Sequence, residues 1–195
     1  RGEDIFVGPR LLFRKVVGTR LIGNYVQERA YSNTLLYGVR LQEHLELDLN
    51  ALLACLNSSL IGFIFRKMYA IREDDTFPQI LLEDMASLPI RRISFTTTEQ
   101  ERKQLLTQAK KLYEDYLQNQ KWDSVLALVA GCLPRSADGT SDTEHEKSDV
   151  VHDLLAFLAE EMIRLNKEKQ SRIKAFLSWL EKEIHPEFKS AGKLS

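Results

Sequence analysis

The residues whose types and spacing would do chemistry fall into two groups, and the first is small. It holds His145-Glu146 with His152, the run Glu101-Arg102-Lys103, the pair His152-Asp153, and Ser58-Ser59. A helical zinc site needs two histidines about four residues apart, so that both imidazoles share one face; His145 and His152 are too far apart for that. Glu101-Arg102-Lys103 offers half of a nuclease site. It falls in a predicted first helical turn with no partner Asp at strand spacing before it, which makes solvated helix charge the better reading. Adjacent helix residues point about 100° apart, so capping and surface charge account for His152 and Asp153. Ser58 and Ser59 lack a nucleophile's strained turn and should pack or bond back to their own helix. Neither glycine-rich phosphate loop, GxGxxG or GxxxxGK[ST], occurs in the chain. Nothing in this group resembles an assembled active site.

The second group is basic and aromatic. Arg10, Arg14, Lys15 and Arg20 lie among short apolar runs, with Tyr25, Arg29 and Tyr31 close behind; Arg66, Lys67, Arg72, Arg91 and Arg92 form a further set. On alternating strands such side chains emerge on one face, where Arg reads guanine edges or clamps phosphates. The alternative is a scatter of solvated charges. Charge is nevertheless concentrated: residues 1–40 carry seven basic residues against three acidic ones. The overall net charge of −1 therefore conceals a basic amino-terminal segment.

The 195 residues are 44 % hydrophobic and 28 % charged, an ordinary composition with material for one or two small cores. That excludes collagen, mucin, wholesale disorder and a multi-disulfide module, and the charge balance excludes a uniformly basic nucleic-acid coat. The two cysteines, Cys55 and Cys132, match no CxxC spacing. They read as buried small hydrophobes in a reducing, cytoplasmic compartment. No stretch approaches the roughly 18 consecutive apolar residues of a membrane span. The chain opens on Arg1-Gly2-Glu3-Asp4 rather than Met, which carries the expectation of a piece of a longer protein.

Several elements must position these residues. Ile5-Phe6-Val7, Leu11-Leu12-Phe13, Val16-Val17, Leu21-Ile22 and Leu35 to Val39 are short apolar runs separated by Gly8-Pro9, Gly18 and Gly23, the pattern of strands and tight turns. From Asp48, a good N-cap, Leu49, Leu52, Leu53, Leu56, Leu60 and Phe63 recur at helical spacing; the nearly all-apolar perimeter predicts one helix buried against a sheet. Phe77 to Ile80 resumes extended chain, and Pro89 keeps Leu88 to Ile90 out of a helix. Thr98 to Glu101 fits a capping box ahead of a helix striped by Leu105, Ala109, Leu112 and Tyr116. Trp122 to Leu133 is a shorter apolar helix, and the polar run from Pro134 to Thr143 should be a mobile loop. Ser148 caps a long last helix to about Ile184, stopped before Pro186, and its apolar stripe asks for an antiparallel partner, most simply the helix from residue 98.

The order of these segments resembles a known family. The residues that carry the resemblance are Gly8-Pro9-Arg10-Leu11-Leu12-Phe13-Arg14-Lys15, then Arg20-Leu21-Ile22-Gly23-Asn24-Tyr25, the helix Leu52 to Phe63 with its Leu56-Asn57-Ser58, and Leu88-Pro89-Ile90-Arg91. Over residues 5–118 they resemble the C-terminal target-recognition domain of TaqI-like adenine-N6 DNA methyltransferases, including fused type IIG restriction–modification enzymes. Val150 to Leu158 is similar to the tails of such enzymes. The family's catalytic Asn-Pro-Pro-aromatic tetrapeptide is absent here, as is its S-adenosylmethionine loop. Both belong to an upstream domain in that family, so the resemblance implies no methylation by this chain alone.

The resulting expectations are as follows. The fold is α+β, a small mixed β-sheet with a buried helix followed by an antiparallel helical region. Residues 1–95 are a DNA target-recognition domain, and 96–195 a helical spacer or docking region with a mobile loop at about 134–147. The resemblance implies double-stranded DNA and an upstream methyltransferase domain as partners, and S-adenosylmethionine as a cofactor of the parent enzyme and not of this chain. Arg10, Arg14, Lys15, Arg20, Arg29, Tyr31, Arg66, Lys67, Arg72 and Arg91 are the candidate DNA contacts. A helical protein-interaction module without DNA recognition is the alternative.

Overall fold

The computed structural model describes residues 6–18, 20–68 and 79–188, without the side chains of 184–188. Arg72, Phe77 and Pro78 lie outside the described residues. Three short strands come first: β1 (Arg10–Arg14), β2 (Gly23–Val26) and β3 (Leu36–Val39). They pair in the order β2-β1-β3. Both pairings are antiparallel, so the sheet is not the mixed one expected. The loop between β1 and β2, residues 15–22, is too short for the crossover of a dozen or more residues that neighbouring parallel strands need.

Side chains alternate across a strand. Leu11 and Phe13 of β1 point to one face with Tyr25, Tyr37 and Val39, and both β1 residues are buried. Gly23 sits opposite Phe13, and the Phe13 ring covers it so closely that a Cβ there would lie 2.3 Å from the ring. The sequence placed a strand at Leu21-Ile22; β2 instead begins at Gly23, with Arg14 N–H donating to the Ile22 carbonyl at 3.0 Å. Val16 makes only an isolated bridge to Gln79.

The buried helix is two helices. α1 (Leu49–Leu56) starts at Asp48, whose carboxylate accepts from the Asn50 N–H at 2.6 Å. α2 (Ser59–Met68) follows at a 59° bend. Asn57 makes the break useful. Its Oδ1 accepts from the Gly23 N–H at 2.8 Å and its Nδ2 donates to the Gly23 carbonyl at 3.0 Å, so the amide pairs with β2 as another strand would. Ser58 then caps α2, its hydroxyl accepting from the Ile61 N–H at 3.2 Å. Leu52, Leu53, Leu56, Ile61 and Phe65 are buried in the same core as Leu11 and Phe13. Among the described residues, no single helix is long and apolar enough to cross a membrane.

A short α3 (Leu82–Ala86) leads to Pro89 and an irregular segment, then to α4 (Glu99–Asn119), α5 (Asp123–Cys132) and α6 (Ser148–Phe188). Thr98 caps α4 as its type predicts, but the Glu101 carboxylate turns to Lys147 at 2.7 Å. Gln120, in the left-handed conformation, ends α4. The antiparallel partner of α4 is α5: the Tyr116 and Trp122 rings meet at one end, 3.6 Å between centroids, and Lys147 joins Glu101 to the Cys132 carbonyl at the other. The pairing of α4 with α6, expected to be antiparallel, runs in the same direction. Thr97 meets Asp149, Arg102 meets Asp153 and Tyr113 meets Phe157. The polar segment from Pro134 folds on itself, with Ser136 N–H donating to Thr140 and Asp142 N–H to Pro134. Ser148 is the first helical residue, and its hydroxyl accepts from the Ser94 N–H instead of capping. α6 also continues through Pro186 to Phe188, past the stop expected before that proline.

A polar seam fastens the segment before α4 to the first turns of α6. Arg91 pairs with buried Glu146, and Thr97 gives both its N–H and its hydroxyl to Asp149, at 2.9 and 2.7 Å. Arg102 grips Asp153 through two nitrogens at 2.5 and 2.6 Å. Buried His152 accepts the Asp48 N–H on Nε2 at 2.8 Å, which leaves Nδ1 as the protonated nitrogen, 3.0 Å from Asp153. The α1 cap is thereby tied to α6. Burial pushes the Asp153 carboxyl up, but the hydrogen bonds from Arg102 and His152 outweigh it and hold it below the usual carboxylate range. A depressed carboxylate stabilises the fold above its unfolded value and loses that contribution as pH falls through the folded one. Melting temperature should therefore drop as the solution is acidified below about pH 4, and Asp153→Asn should blunt that drop while lowering stability at neutral pH.

The chain divides into two compact units, residues 1–159 and 160–195. The second is helical, braced by ion pairs of Arg164 with Glu161 and of Arg172 with Glu168. Its large apolar residues Met162, Leu165, Ile173, Phe176, Leu177 and Trp179 are exposed.

Candidate functional site

The face of the sheet opposite α1 is open. It is built from Arg10, Leu12 and Arg14 of β1, with Val26 and Asn24 of β2 on one side and Leu36 and Gly38 of β3 on the other. Arg14, Asn24 and Gly38 are exposed, and Leu12, Val26 and Leu36 half-buried. The Arg14 side chain makes no hydrogen bond or ion pair with any described residue. One end of this face is closed by the chain itself. The Arg10 guanidinium donates to the carbonyls of Gly8, Glu28 and Ala30 at 2.8, 3.2 and 2.9 Å, which leaves Arg10 only 2 % exposed. Since Arg10 points to the open face, the loop it holds forms the rim there. Arg29 and Tyr31 are exposed on or beside that loop, and the Tyr31 ring lies against Phe6, 5.1 Å between centroids. Arg40, which continues β3, donates to the Val7 carbonyl in the same turn, and Gly8 there has φ +81°, a conformation that suits glycine.

The structure brings together only part of the candidate set. Arg14, Arg29 and Tyr31 share the open face and its rim. Arg10 is corrected from a DNA contact to a brace: buried, with its donors taken up by three carbonyls, it has no fork left for a base or phosphate. Arg91 pairs through one nitrogen with Glu146, its side chain still half-exposed. Lys15 points to the other face, its ammonium over the Tyr37 ring at 4.6 Å. Arg20 is exposed in the loop after β1. Arg66 and Lys67 stand in the last turn of α2, where cations suit the helix C-terminus, with Lys67 over the Phe63 ring at 5.8 Å. Arg72 lies outside the described residues.

Residues 1–90 match the TaqI-like C-terminal specificity domain. The match supports a DNA-recognition role in restriction–modification enzymes. Neither a curated protein nor a solved structure gives a match. The specificity-domain region takes in β1 to β3, α1, α2 and α3, and with them the whole open face. A specificity domain is non-catalytic by itself.

Sequence reasoning missed four residues that matter in the specificity-domain region. Asn57 and Gly23 were legible as a motif but not as a hydrogen-bonded pair. Arg40 counted as one more charge, and Asn24 passed as part of a resemblance although period-two alternation from Leu12 would have placed it on the open face. Elsewhere, burial pushes the Cys55 and Cys132 thiols up; Cys132 is buried as expected, whereas Cys55 is half-buried. Among the described residues, no group of three or more His, Cys, Asp or Glu side chains is placed to hold a metal ion.

Proposed function

We propose that this chain is the target-recognition part of a restriction–modification DNA adenine methyltransferase, binding double-stranded DNA sequence-specifically and presenting it to a catalytic domain of the parent enzyme. The observation that carries the reading is the open sheet face within the specificity-domain region, with the Arg14 side chain exposed on it and bonded to no described residue. Arg14 and neighbouring polar groups meet the duplex, the exposed Arg29 and Tyr31 hold the backbone at the rim, and Arg20 does so from the loop after β1; contacts to phosphate set register, and base edges set sequence. Duplex so registered lets the catalytic domain extrude its adenine. S-adenosylmethionine is bound by that domain and not by these residues. The region 96–195 serves as spacer and docking surface toward it, and the exposed apolar residues of 160–183 favour that role. The enzyme works in the cytoplasm, with or without a fused nuclease.

Salt titration of duplex binding tests the reading. Affinity should fall steeply and log-linearly with salt, because phosphate contacts release counterions. Arg14→Ala should weaken binding by roughly tenfold or more if its guanidinium meets a base, as a good bidentate pair does. Salt-independent binding that Arg14→Ala leaves intact would return the sheet to a purely structural role.

A further inference from the structure

We propose that Asn24 and Arg14 are a base-reading pair in the DNA major groove, Asn24 taking an adenine and Arg14 a guanine two steps away. The proposal rests on the DNA-recognition reading above and adds to it which residues discriminate, and between which bases.

Asn24 sits mid-strand in β2, directly opposite Leu12 on the open face, and is exposed. Asparagine is depleted in strands, where β-branched and aromatic residues do better, so nothing in sheet formation asks for it there. Its amide is oriented, because the Tyr25 N–H donates to Oδ1 at 3.0 Å. No other hydrogen bond of this amide is made to a described residue, so on an exposed side chain both Nδ2 hydrogens and the second Oδ1 lone pair remain to be used. A donor and an acceptor side by side match N7 and the N6 amino group of adenine, and no other base presents that order in the major groove. The exposed Arg14 carries a planar fork of donors that is bonded to no described residue and is the complement of guanine O6 and N7.

Spacing agrees with groove geometry. Arg14 is the diagonal neighbour of Asn24, two residues along β1 from Leu12, and such pairs lie about 7–8 Å apart. Successive bases along one strand are about 3.4 Å apart, so the two readers fall about two steps from one another. Half-buried Leu12 lies beside Asn24, suited to the thymine methyl. On its other side Gly38 has no side chain, so the middle of the face has low relief. The major groove, about 12 Å wide, shows a distinct edge pattern for every base pair, whereas the minor groove, about 6 Å wide, separates only A·T from G·C.

The test takes the full chain and the duplex that the wild-type chain selects from a randomised pool. Binding of the wild type, Asn24→Ala and Arg14→Lys is then measured against that duplex and every single-pair substitution of it. The wild type should prefer one A·T pair by on the order of 10- to 100-fold. Asn24→Ala should lose that preference alone, with the others and the salt dependence kept. Arg14→Lys should relax a G·C pair about two steps off. Asn24→Thr, a better strand former, gives the same reading should alanine disturb β2. Unchanged preferences at every position in both Asn24 variants would overturn the proposal and leave the DNA-recognition reading standing. A wild-type chain that selects no duplex would overturn both.

Discussion

Arg10→Ala is expected to lower stability by about 3 kcal/mol, measured as a shift in urea midpoint, while Arg14→Ala, four residues along the same strand, shifts it by less than about 0.5 kcal/mol. The two arginines share a strand face and differ only in what surrounds them. Arg10 donates to three carbonyls of two separate turns while almost wholly buried. Its removal leaves those acceptors short of partners in a site closed to water, and a charged donor's bond contributes more than a neutral one's. Arg10→Lys should recover little, since an ammonium is a point donor and cannot span the Gly8, Glu28 and Ala30 carbonyls as a planar fork does. The rim loop should loosen with it, so DNA binding falls in parallel with stability. A DNA-binding loss in Arg10→Ala at unchanged stability would mean that its guanidinium meets DNA after all.

The second large effect is expected at Asn57. Asn57→Ala should cost about 2–3 kcal/mol, because both the N–H and the carbonyl of Gly23 lose their partner at once. Asn57→Asp keeps the acceptor for the N–H but sets an oxygen against the Gly23 carbonyl, so it should recover no more than part of the loss. Denaturant unfolding of the three proteins decides this. Because the clamp holds β2 to the α1–α2 corner, hydrogen exchange at Tyr25 and Val26 should quicken in Asn57→Ala beyond the change in global stability. An Asn57→Ala protein as stable as the wild type would mean that β2 is held by its ladder with β1 alone.

How far the sequence foretold this differs by element. The helix stripes and caps were legible because each rests on local spacing: Asp48 and Thr98 cap where their types say they should. The α1–α2 break was not, because apolar periodicity runs straight across Asn57-Ser58, and the reason for the break is a strand 34 residues earlier in the chain. Helix direction failed likewise. An apolar stripe says that α6 needs a neighbour, whereas the choice between α4 and α5 as antiparallel pair is made by the Gln120 turn and the Glu101–Lys147 contact. At the candidate site, charge type singled out the strand but could not tell its two arginines apart: Arg10 is buried and Arg14 exposed. Arg10 and Arg14 are indistinguishable in period and chemistry, and only the loop that closes over Arg10 separates brace from reader.

The most direct test of the central claim is to pass a randomised duplex pool over the intact chain at low salt and sequence what is retained. Sequence recognition by the open face predicts a short enriched motif that Arg14→Ala weakens. Retention without enrichment, or an enriched motif indifferent to Arg14, would contradict it.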